Sequence, residues 1–382
     1  MNTTIVFAFI AGTTIICGLL SAAIPFLMPK SECFAVTVPE EAYNHPVLKT
    51  YRKKYAALCI ILTAGIAVAS GTGAWLIADG SAAAHESTII ILCLLPIAIV
   101  TFIPYLLMLH YRKKVSSLKR EEDWTAHTSQ RAAVICEEAT AGPIPLAWNI
   151  LYIPVILAIA ALGVILYPGI PDPIPMHMDF EGNVDAYAAK SNGSVFGFPI
   201  GLTAFLAICM IFSHWIMTRS KRPISPNAPA SSALAYGLFA RAQSILLLAS
   251  GLLISAALGI GFLLSSAAII SLGQVVALVL IACVPVVAGS IAITVIYGQS
   301  GTKIQARLAA REANDGEMPI DDDEHWKLGI FYFNPQDPSL WLPERFGIGW
   351  TMNFGRPAAW LVVAGFAIVA TGLIIFVTSL SS

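Results

Sequence analysis

Charged side chains are scarce in this 382-residue chain, where only 12% of the residues are Asp, Glu, Lys or Arg. An average globular protein has about 25%. Hydrophobic residues make up 57% of the chain, and its mean hydropathy is +0.75. No single soluble core hides so many apolar side chains, so the composition predicts an integral membrane protein with the lipid bilayer as its partner. The net charge of −1 excludes nucleic acid as a partner, because nucleic-acid binding needs a clustered basic surface.

The usual motifs of enzymes are missing as well. The chain has no G-x-x-x-x-G-K-[ST] phosphate loop, no H-E-x-x-H helix and no G-x-S-x-G elbow. Its cysteines and histidines do not show the paired spacing of zinc sites. We therefore expect neither catalytic activity nor a cofactor.

Long apolar runs occupy most of the chain. A helix needs roughly 20 apolar residues to cross about 30 Å of hydrocarbon, and eight runs reach that length without any Asp, Glu, Lys or Arg. We predict an all-α polytopic membrane protein with eight transmembrane helices. In chain order, the predicted spans are residues 4–28, 56–78, 88–110, 148–167, 195–217, 244–264, 275–297 and 358–379.

The cations lie almost entirely on one side of these spans. The segments after the first, third, fifth and seventh spans hold 21 of the 22 Lys and Arg residues, and only Lys190 lies on the opposite side. Cytoplasmic loops are enriched in Lys and Arg. We therefore predict that both termini face outward (N-out and C-out) and that the cation-rich segments face the cytoplasm, with the protein in the cell (plasma) membrane.

The predicted spans and loops divide the chain into four regions. Residues 1–147 form an N-terminal three-helix region with cytoplasmic loops, and residues 148–220 surround an extracytoplasmic loop, 168–194. Residues 221–298 form a helical hairpin, and residues 299–382 hold a small cytoplasmic β-hairpin and the last span. Small residues at four-residue intervals predict close helix contacts in two spans. They are Gly65, Ala69 and Gly73 in the second span, and Gly251, Ser255 and Gly259 in the sixth.

The extracytoplasmic loop 168–194 is acidic and rich in proline. Its acidic residues outnumber Lys190 and leave it at −3, and a turn signal surrounds Gly182. Alternate residues of an extended segment share a face, so His177 and Asp179 project together, and Asp185 returns beside them after the turn. Three interpretations stay open for these side chains: a metal site, a hydrogen-bonded brace, or a recognition surface. One histidine with scattered carboxylates is a weak ligand set for a metal.

The same loop resembles the signature of a bacterial domain of unknown function. That domain is best known from the Sdp-type immunity proteins, which protect the producer of a secreted killing peptide and take part in signalling its presence. The resemblance covers the loop and its flanking helices, and it implies a role in recognising an extracellular peptide. The candidate recognition residues that carry it are Asp172, Pro175, His177, Gly182, Asp185 and Lys190.

Aromatic residues concentrate in the last predicted cytoplasmic segment, 321–360. Residues 328–333 predict a strand, residues 334–337 a turn, and a return strand begins near Leu340, which makes a β-hairpin. We expect it to pack beneath the helices or to lie at the lipid headgroups, where aromatic rings are favoured. The acidic run 321–324 is interpreted as a solvated linker. The candidate residues of this hairpin are Trp326, Asn334, Asp337, Trp341, Trp350 and Asn353.

Two interpretations apply to the polar members of that set. Asn334, Asp337 and Asn353 are interpreted as turn and capping residues, with ligand binding as the alternative. The segment also looks like another uncharacterised domain that commonly ends longer membrane proteins of this kind. Residues 34–55 are similar to the first cytoplasmic loop of those proteins. The resemblances together imply a longer, multi-domain relative rather than a compact immunity protein.

Three functional classes remain open from the sequence. The leading hypothesis is a receptor or immunity-type protein whose outward loop recognises an extracellular peptide, with a cytoplasmic regulator as a further partner. A cationic peptide is favoured by the acidic loop. The second class is an uncoupled transporter or a membrane scaffold, because the spans lack the central ionisable group of coupled transporters. The third is an interfacial enzyme that uses His177 and nearby carboxylates, although no nucleophile is evident.

Overall fold

Helices make up most of this protein. The computed structural model describes residues 3–78, 86–125, 141–179, 183–225, 228–309, 321–347 and 349–381. In chain order, the helices are α1 (Thr3–Leu27), α2 (Pro46–Ala78), α3 (Glu86–Glu121), α4 (Tyr152–Leu166), α5 (Phe198–Arg219), α6 (Pro229–Ser266), α7 (Leu272–Tyr297), α8 (Thr302–Ala309) and α9 (Pro357–Ser381). The strands are β1 (Glu32–Cys33), β2 (Val36–Thr37), β3 (Ile174–Met178), β4 (Val184–Ala188), β5 (Trp326–Lys327), β6 (Phe331–Tyr332), β7 (Trp341–Pro343) and β8 (Trp350–Met352).

Six helical stretches within the described residues are long and apolar enough to cross a membrane. They are Pro46–Gly73, Leu94–Glu121, Leu146–Gly169, Gly193–Arg219, Pro229–Ser266 and Leu272–Leu308. These stretches coincide with the second to seventh predicted spans and support a multi-pass membrane protein. The first and eighth predicted spans coincide with α1 and α9. The apolar parts of these two helices whose side chains the structure describes, Ala11–Leu27 and Pro357–Gly372, are shorter. The count of eight spans and the orientation stay predictions.

Helix α6 lies at the centre of a group with α4, α5 and α7, while α1, α2 and α3 pack on one another. The predicted contact face of α6 is confirmed. A Cβ added at Gly251 would lie 1.8 Å from the hydroxyl oxygen of Tyr152, and one added at Gly259 would lie 2.3 Å from Cδ1 of Ile159. The prediction is wrong at Gly65 of α2, where no described atom outside its own helix turn lies within 4 Å of an added Cβ.

The prediction of a single β-hairpin before the last helix is also wrong, because its strands pair differently. Strand β5 pairs with β6, and β7 pairs with β8, so two short hairpins replace one. A strand over 328–333 does not form because Leu328 and Gly329 have φ angles of 52° and 74°, which turn the chain between β5 and β6. The predicted turn at 334–337 instead connects the two hairpins. We call residues 321–356 the C-terminal segment.

Asn353 holds the two hairpins of the C-terminal segment together. Its side chain is fully buried. The amide nitrogen Nδ2 donates to the carbonyl oxygens of Asn334, Asp337 and Ser339 at 2.7, 3.1 and 3.2 Å. The oxygen Oδ1 accepts from the backbone N–H groups of Asn334 and Gly355 at 3.0 Å each. One side chain therefore satisfies backbone groups that a regular sheet would have paired.

Helix α5 separates the β3–β4 hairpin from the C-terminal segment. The hairpin lies just before the N-terminal end of α5. Just after the C-terminal end of α5, the backbone N–H of Lys221 donates to the carbonyl oxygen of Trp341 in the C-terminal segment at 2.9 Å. A 22-residue helix is about 33 Å long at 1.5 Å per residue. Helix α9 leaves the C-terminal segment and reaches β4. The hairpin and the C-terminal segment thus lie at opposite ends of the helices.

Candidate functional site

The β3–β4 hairpin is fixed to the helices at its base. The strands are antiparallel, with Ile174 opposite Ala188 and Pro175 opposite Tyr187. Ile174 is fully buried and belongs to an apolar cluster with Ile159 of α4 and Leu263 of α6. Alternation along β3 therefore sends Ile174 toward the helices and leaves the polar residues farther along the hairpin in solvent.

His177 and Asp185 meet across the two strands. Nδ1 of His177 lies 2.6 Å from Oδ1 of Asp185. An ionised carboxylate only accepts hydrogen bonds, so Nδ1 carries the proton. The two side chains are 66% and 43% exposed. Within the described part of the chain Nε2 of His177 has no hydrogen-bond partner, so the pair presents one imidazole nitrogen and one carboxylate to solvent.

Lys190 and Asp172 lie at the base of the hairpin, not with the exposed pair. The backbone N–H of Lys190 donates to Oδ1 of Asp172 at 2.9 Å. Its ammonium group donates to the carbonyl oxygen of Ile170 at 2.8 Å and lies 4.8 Å from the ring centroid of Tyr167. Lys190, the one lysine of loop 168–194, therefore points toward the base of the hairpin. The Asp and Glu residues farther along the hairpin have no Lys or Arg beside them in the sequence.

Asp179 takes part in the turn between the strands. Its carboxylate accepts hydrogen bonds from the backbone N–H and the side-chain amide of Asn183, at 2.8 and 3.2 Å. Gly182, another candidate, lies outside the described residues. Among the residues that the structure describes, no group of three or more His, Cys, Asp or Glu side chains is arranged to hold a metal ion.

The acidic run before the C-terminal hairpins is not a solvated linker, contrary to the sequence interpretation. Arg345 is 6% exposed and forms ion pairs with Asp322 and Asp323. Lys119 of α3 lies 2.7 Å from a carboxylate oxygen of Asp323 and 2.7 Å from one of Asp321. Thr37 of β2 donates its backbone N–H to Asp323 at 3.0 Å. We call this set, together with Glu32, the charge cluster.

The pKa values of two carboxyl groups in the charge cluster are shifted in opposite directions. Burial alone would raise the pKa of Asp323, but the positive charge of Arg345 and hydrogen bonds from Lys119 and Thr37 outweigh it and hold the pKa at about 2. For Glu32, burial is the larger effect and raises the pKa to about 7 despite the opposing charge of Arg345. Its Oε2 is buried and has no hydrogen-bond partner within the described chain.

The C-terminal segment contacts helices α5 and α6 through its aromatic residues. Trp341 is buried, and its ring centroid lies 5.9 Å from that of Phe212 in α5. Nε1 of Trp350 donates to the hydroxyl of Tyr236 in α6 at 3.3 Å. Trp326 is buried beneath Arg345, whose guanidinium carbon lies 5.3 Å from the ring. The segment therefore packs on the ends of the helices, as the first of the two sequence expectations had it.

Asp337 and Asn334 lie where the two C-terminal hairpins meet. A carboxylate oxygen of Asp337 lies 2.7 Å from the ammonium of Lys221 and accepts from the hydroxyl of Tyr332 at 3.0 Å. Burial would raise the pKa of Asp337, but hydrogen bonds from Lys221 and from Ser339 outweigh it and hold the pKa at about 2. The side-chain oxygen of Asn334 accepts from the backbone of Gln336 at 3.0 Å. These contacts are those of turn residues, and ligand binding by them stays the alternative prediction.

Sequence reasoning missed most of the charge cluster. The guanidinium of Arg345 donates a hydrogen bond to the hydroxyl of Thr37 at 2.9 Å, although 308 positions separate the two residues. No local period or spacing links such residues. The one sequence feature that could have indicated the cluster is the acidic run at 321–324. Carboxylates that become buried need a cation as partner, and a buried Arg or Lys could therefore have been expected near this run.

Two stretches of the chain match family models. Residues 155–203 match a Domain of unknown function (DUF1648), and residues 335–360 match a Family of unknown function (DUF5808). The first stretch contains the β3–β4 hairpin, and the second runs from the C-terminal segment into α9. The expectation of uncharacterised domains at these two places is confirmed. Neither description gives an activity or a link to Sdp-type immunity. No curated protein and no solved structure matches this chain.

Proposed function

We propose that this protein is a receptor or immunity-type protein of the cell membrane, and that its β3–β4 hairpin recognises an extracellular peptide without catalysing a reaction. The exposed His177–Asp185 pair is the observation that carries the proposal. The base of the hairpin is already held by the burial of Ile174 and by the contacts of Lys190. The pair farther along the hairpin is thus available for binding, and preformed geometry reduces the entropic cost of binding.

A cationic peptide with some apolar side chains fits this surface best. The acidic residues of loop 168–194 outnumber its single lysine, and complementary charge favours encounter with a cation. Beside the hairpin base, a shallow depression of about 290 Å³ is lined by Val164, Tyr167 and Phe196, among others. An apolar side chain of the same peptide would contact this depression while a cationic one contacts Asp185.

The other functional classes are less favoured. An uncoupled transporter or a membrane scaffold is the main alternative. An interfacial enzyme would need a nucleophile or a metal beside His177, and none of the described contacts of His177 supplies one. A cytoplasmic regulator would meet the C-terminal segment, where Phe331 and Phe333 are exposed.

The test pairs survival with protein abundance in cells exposed to the peptides encoded near the gene. We expect His177→Ala and Asp185→Asn to abolish protection while the amount of protein in the membrane fraction, measured by immunoblot, stays near wild type. Glu324→Gln is the matched control, because it also removes one exposed negative charge but at the opposite end of α5. A parallel fall of survival and abundance would mean that the pair is a structural brace, and full survival would refute both interpretations.

A further inference from the structure

Among the residues that the structure describes, three buried hydroxyl groups on three different helices have no hydrogen-bond partner. They belong to Tyr152 of α4, Thr203 of α5 and Ser255 of α6, which are 3%, 1% and 0% exposed. Within the described chain none of these oxygens makes a hydrogen bond to protein. Inside a bilayer there is no bulk water to satisfy such groups, so an unpaired hydroxyl there is costly. Three of them in one region therefore indicate a bound hydrogen-bonding partner.

Other hydroxyls on the same helices do have hydrogen-bond partners, which sets these three apart. Ser250 and Ser266 of α6 donate to the carbonyl oxygens of Leu246 and Phe262, four residues earlier, at 2.6 and 2.9 Å. Ser213 of α5 donates to the carbonyl of Cys209 in the same way. This local bond is the usual way for a helical hydroxyl to avoid being unpaired. Thr203 and Ser255 do not form it within the described structure, so their hydroxyls remain free for another partner.

The three hydroxyls line one face of α6. The hydroxyl oxygen of Tyr152 would lie 1.8 Å from a Cβ at Gly251, and Oγ1 of Thr203 would lie 3.1 Å from a Cβ at Gly259. Gly251, Ser255 and Gly259 are four residues apart, which places them on one face with a rise of about 6 Å per step. The hydroxyls therefore form a row of about 12 Å along the helix axis. We call this row the hydroxyl seam.

The chemistry of the hydroxyl seam limits what it binds. Hydroxyls both donate and accept hydrogen bonds but carry no charge. The side chains that also contact this face of α6, Ile159 and Met210, are apolar. The close approach of the helices at Gly251 and Gly259 excludes a bulky ligand. A small neutral molecule that both donates and accepts is therefore required.

We propose that the hydroxyl seam binds a short file of water molecules between α4, α5 and α6. Each water bonds to one or two of the seam hydroxyls and to its neighbours in the file. The seam thus makes an internal polar path in the part of the bundle formed by α4, α5 and α6. This inference is independent of peptide recognition by the hairpin.

Radiolytic hydroxyl-radical footprinting of the full chain in nanodiscs tests the proposal, because radicals formed from bound water oxidise the side chains next to it. We expect Tyr152 to be oxidised despite its burial, and the oxidation to fall severalfold in the Thr203→Val, Ser255→Ala double variant. Tyr236 is the internal control, since it is equally buried but its hydroxyl accepts from Trp350. An unlabelled Tyr152, or labelling that the double variant leaves unchanged, overturns the proposal.

Thermal unfolding gives a second test, because the unfolding midpoint changes in opposite directions for a hydrated seam and for a dry one. If water bonds to the seam, Ser255→Ala and Thr203→Val each lower the unfolding midpoint, and their effects are not additive because they share the same water file. If the seam is dry, each substitution removes an unpaired polar group, so the midpoint stays equal or rises. The single variants are conservative in size and keep the test valid where the double variant does not fold.

Discussion

Oε1 of Glu32 lies 3.7 Å from Nε of Arg345, so the first loop of the chain and its C-terminal segment share one buried charge cluster. Arg345 supplies the cluster's central positive charge and also bonds to the hydroxyl of Thr37. The stability of the packed C-terminal segment should therefore depend on this one side chain.

Replacing Arg345 should destabilise the protein strongly. Arg345→Met leaves Asp322 and Asp323 without their main counter-charge in a largely buried setting, and breaking such a pair costs about 3–5 kcal/mol. The measurement is the thermal unfolding midpoint of the protein in detergent. Arg307→Met, which removes an exposed cation from α8, should change the midpoint little. Equal midpoints for the two variants would contradict a central role for Arg345.

The raised pKa of Glu32 predicts a specific pH dependence. Its pKa is about 7 in the folded protein, above the ordinary value of 4.5 for a glutamate, so the folded state binds the proton more tightly. Stability from this group is therefore present below about pH 4.5 and is lost as the pH rises to about 7. Glu32→Gln stays neutral, so we expect its midpoint relative to wild type to be higher at pH 8 than at pH 5. Glu41→Gln, at an exposed site, should show no such difference.

Trp341 should contribute more to stability than the exposed aromatics of the same segment. It is 5% exposed, whereas Phe331 is 44% exposed. Truncating a buried large aromatic costs about 3–5 kcal/mol, so Trp341→Ala should lower the thermal midpoint clearly and Phe331→Ala only slightly. If Trp341→Ala melts like wild type, the C-terminal segment is not held by this contact.

Thiol labelling of intact cells tests the predicted orientation. In a background without native cysteines, Asn192→Cys places a thiol beside the β3–β4 hairpin, and Glu324→Cys places one in the C-terminal segment. Because nearly all cations lie on one side of the predicted spans, an impermeant reagent should label the first and not the second. Labelling of Glu324→Cys alone would reverse the assignment.

Hydropathy and alternation predicted the parts of this structure that local sequence controls. Six predicted spans are apolar helices, and the pattern around His177 predicted its approach to Asp185. The pairing of the C-terminal strands was missed because Leu328, which is not a glycine, adopts a positive φ angle. A left-handed conformation at such a residue is imposed by the surrounding packing and leaves no sign in the sequence.

The charge cluster has a consequence for the order of events during synthesis. Thr37 leaves the ribosome 308 residues before Arg345, its partner. Throughout that interval Glu32 and Thr37 lack their later contacts with Arg345 and Asp323. The cluster closes only when the C-terminal segment emerges, so its formation is a late step that joins the first part of the chain made to one of the last.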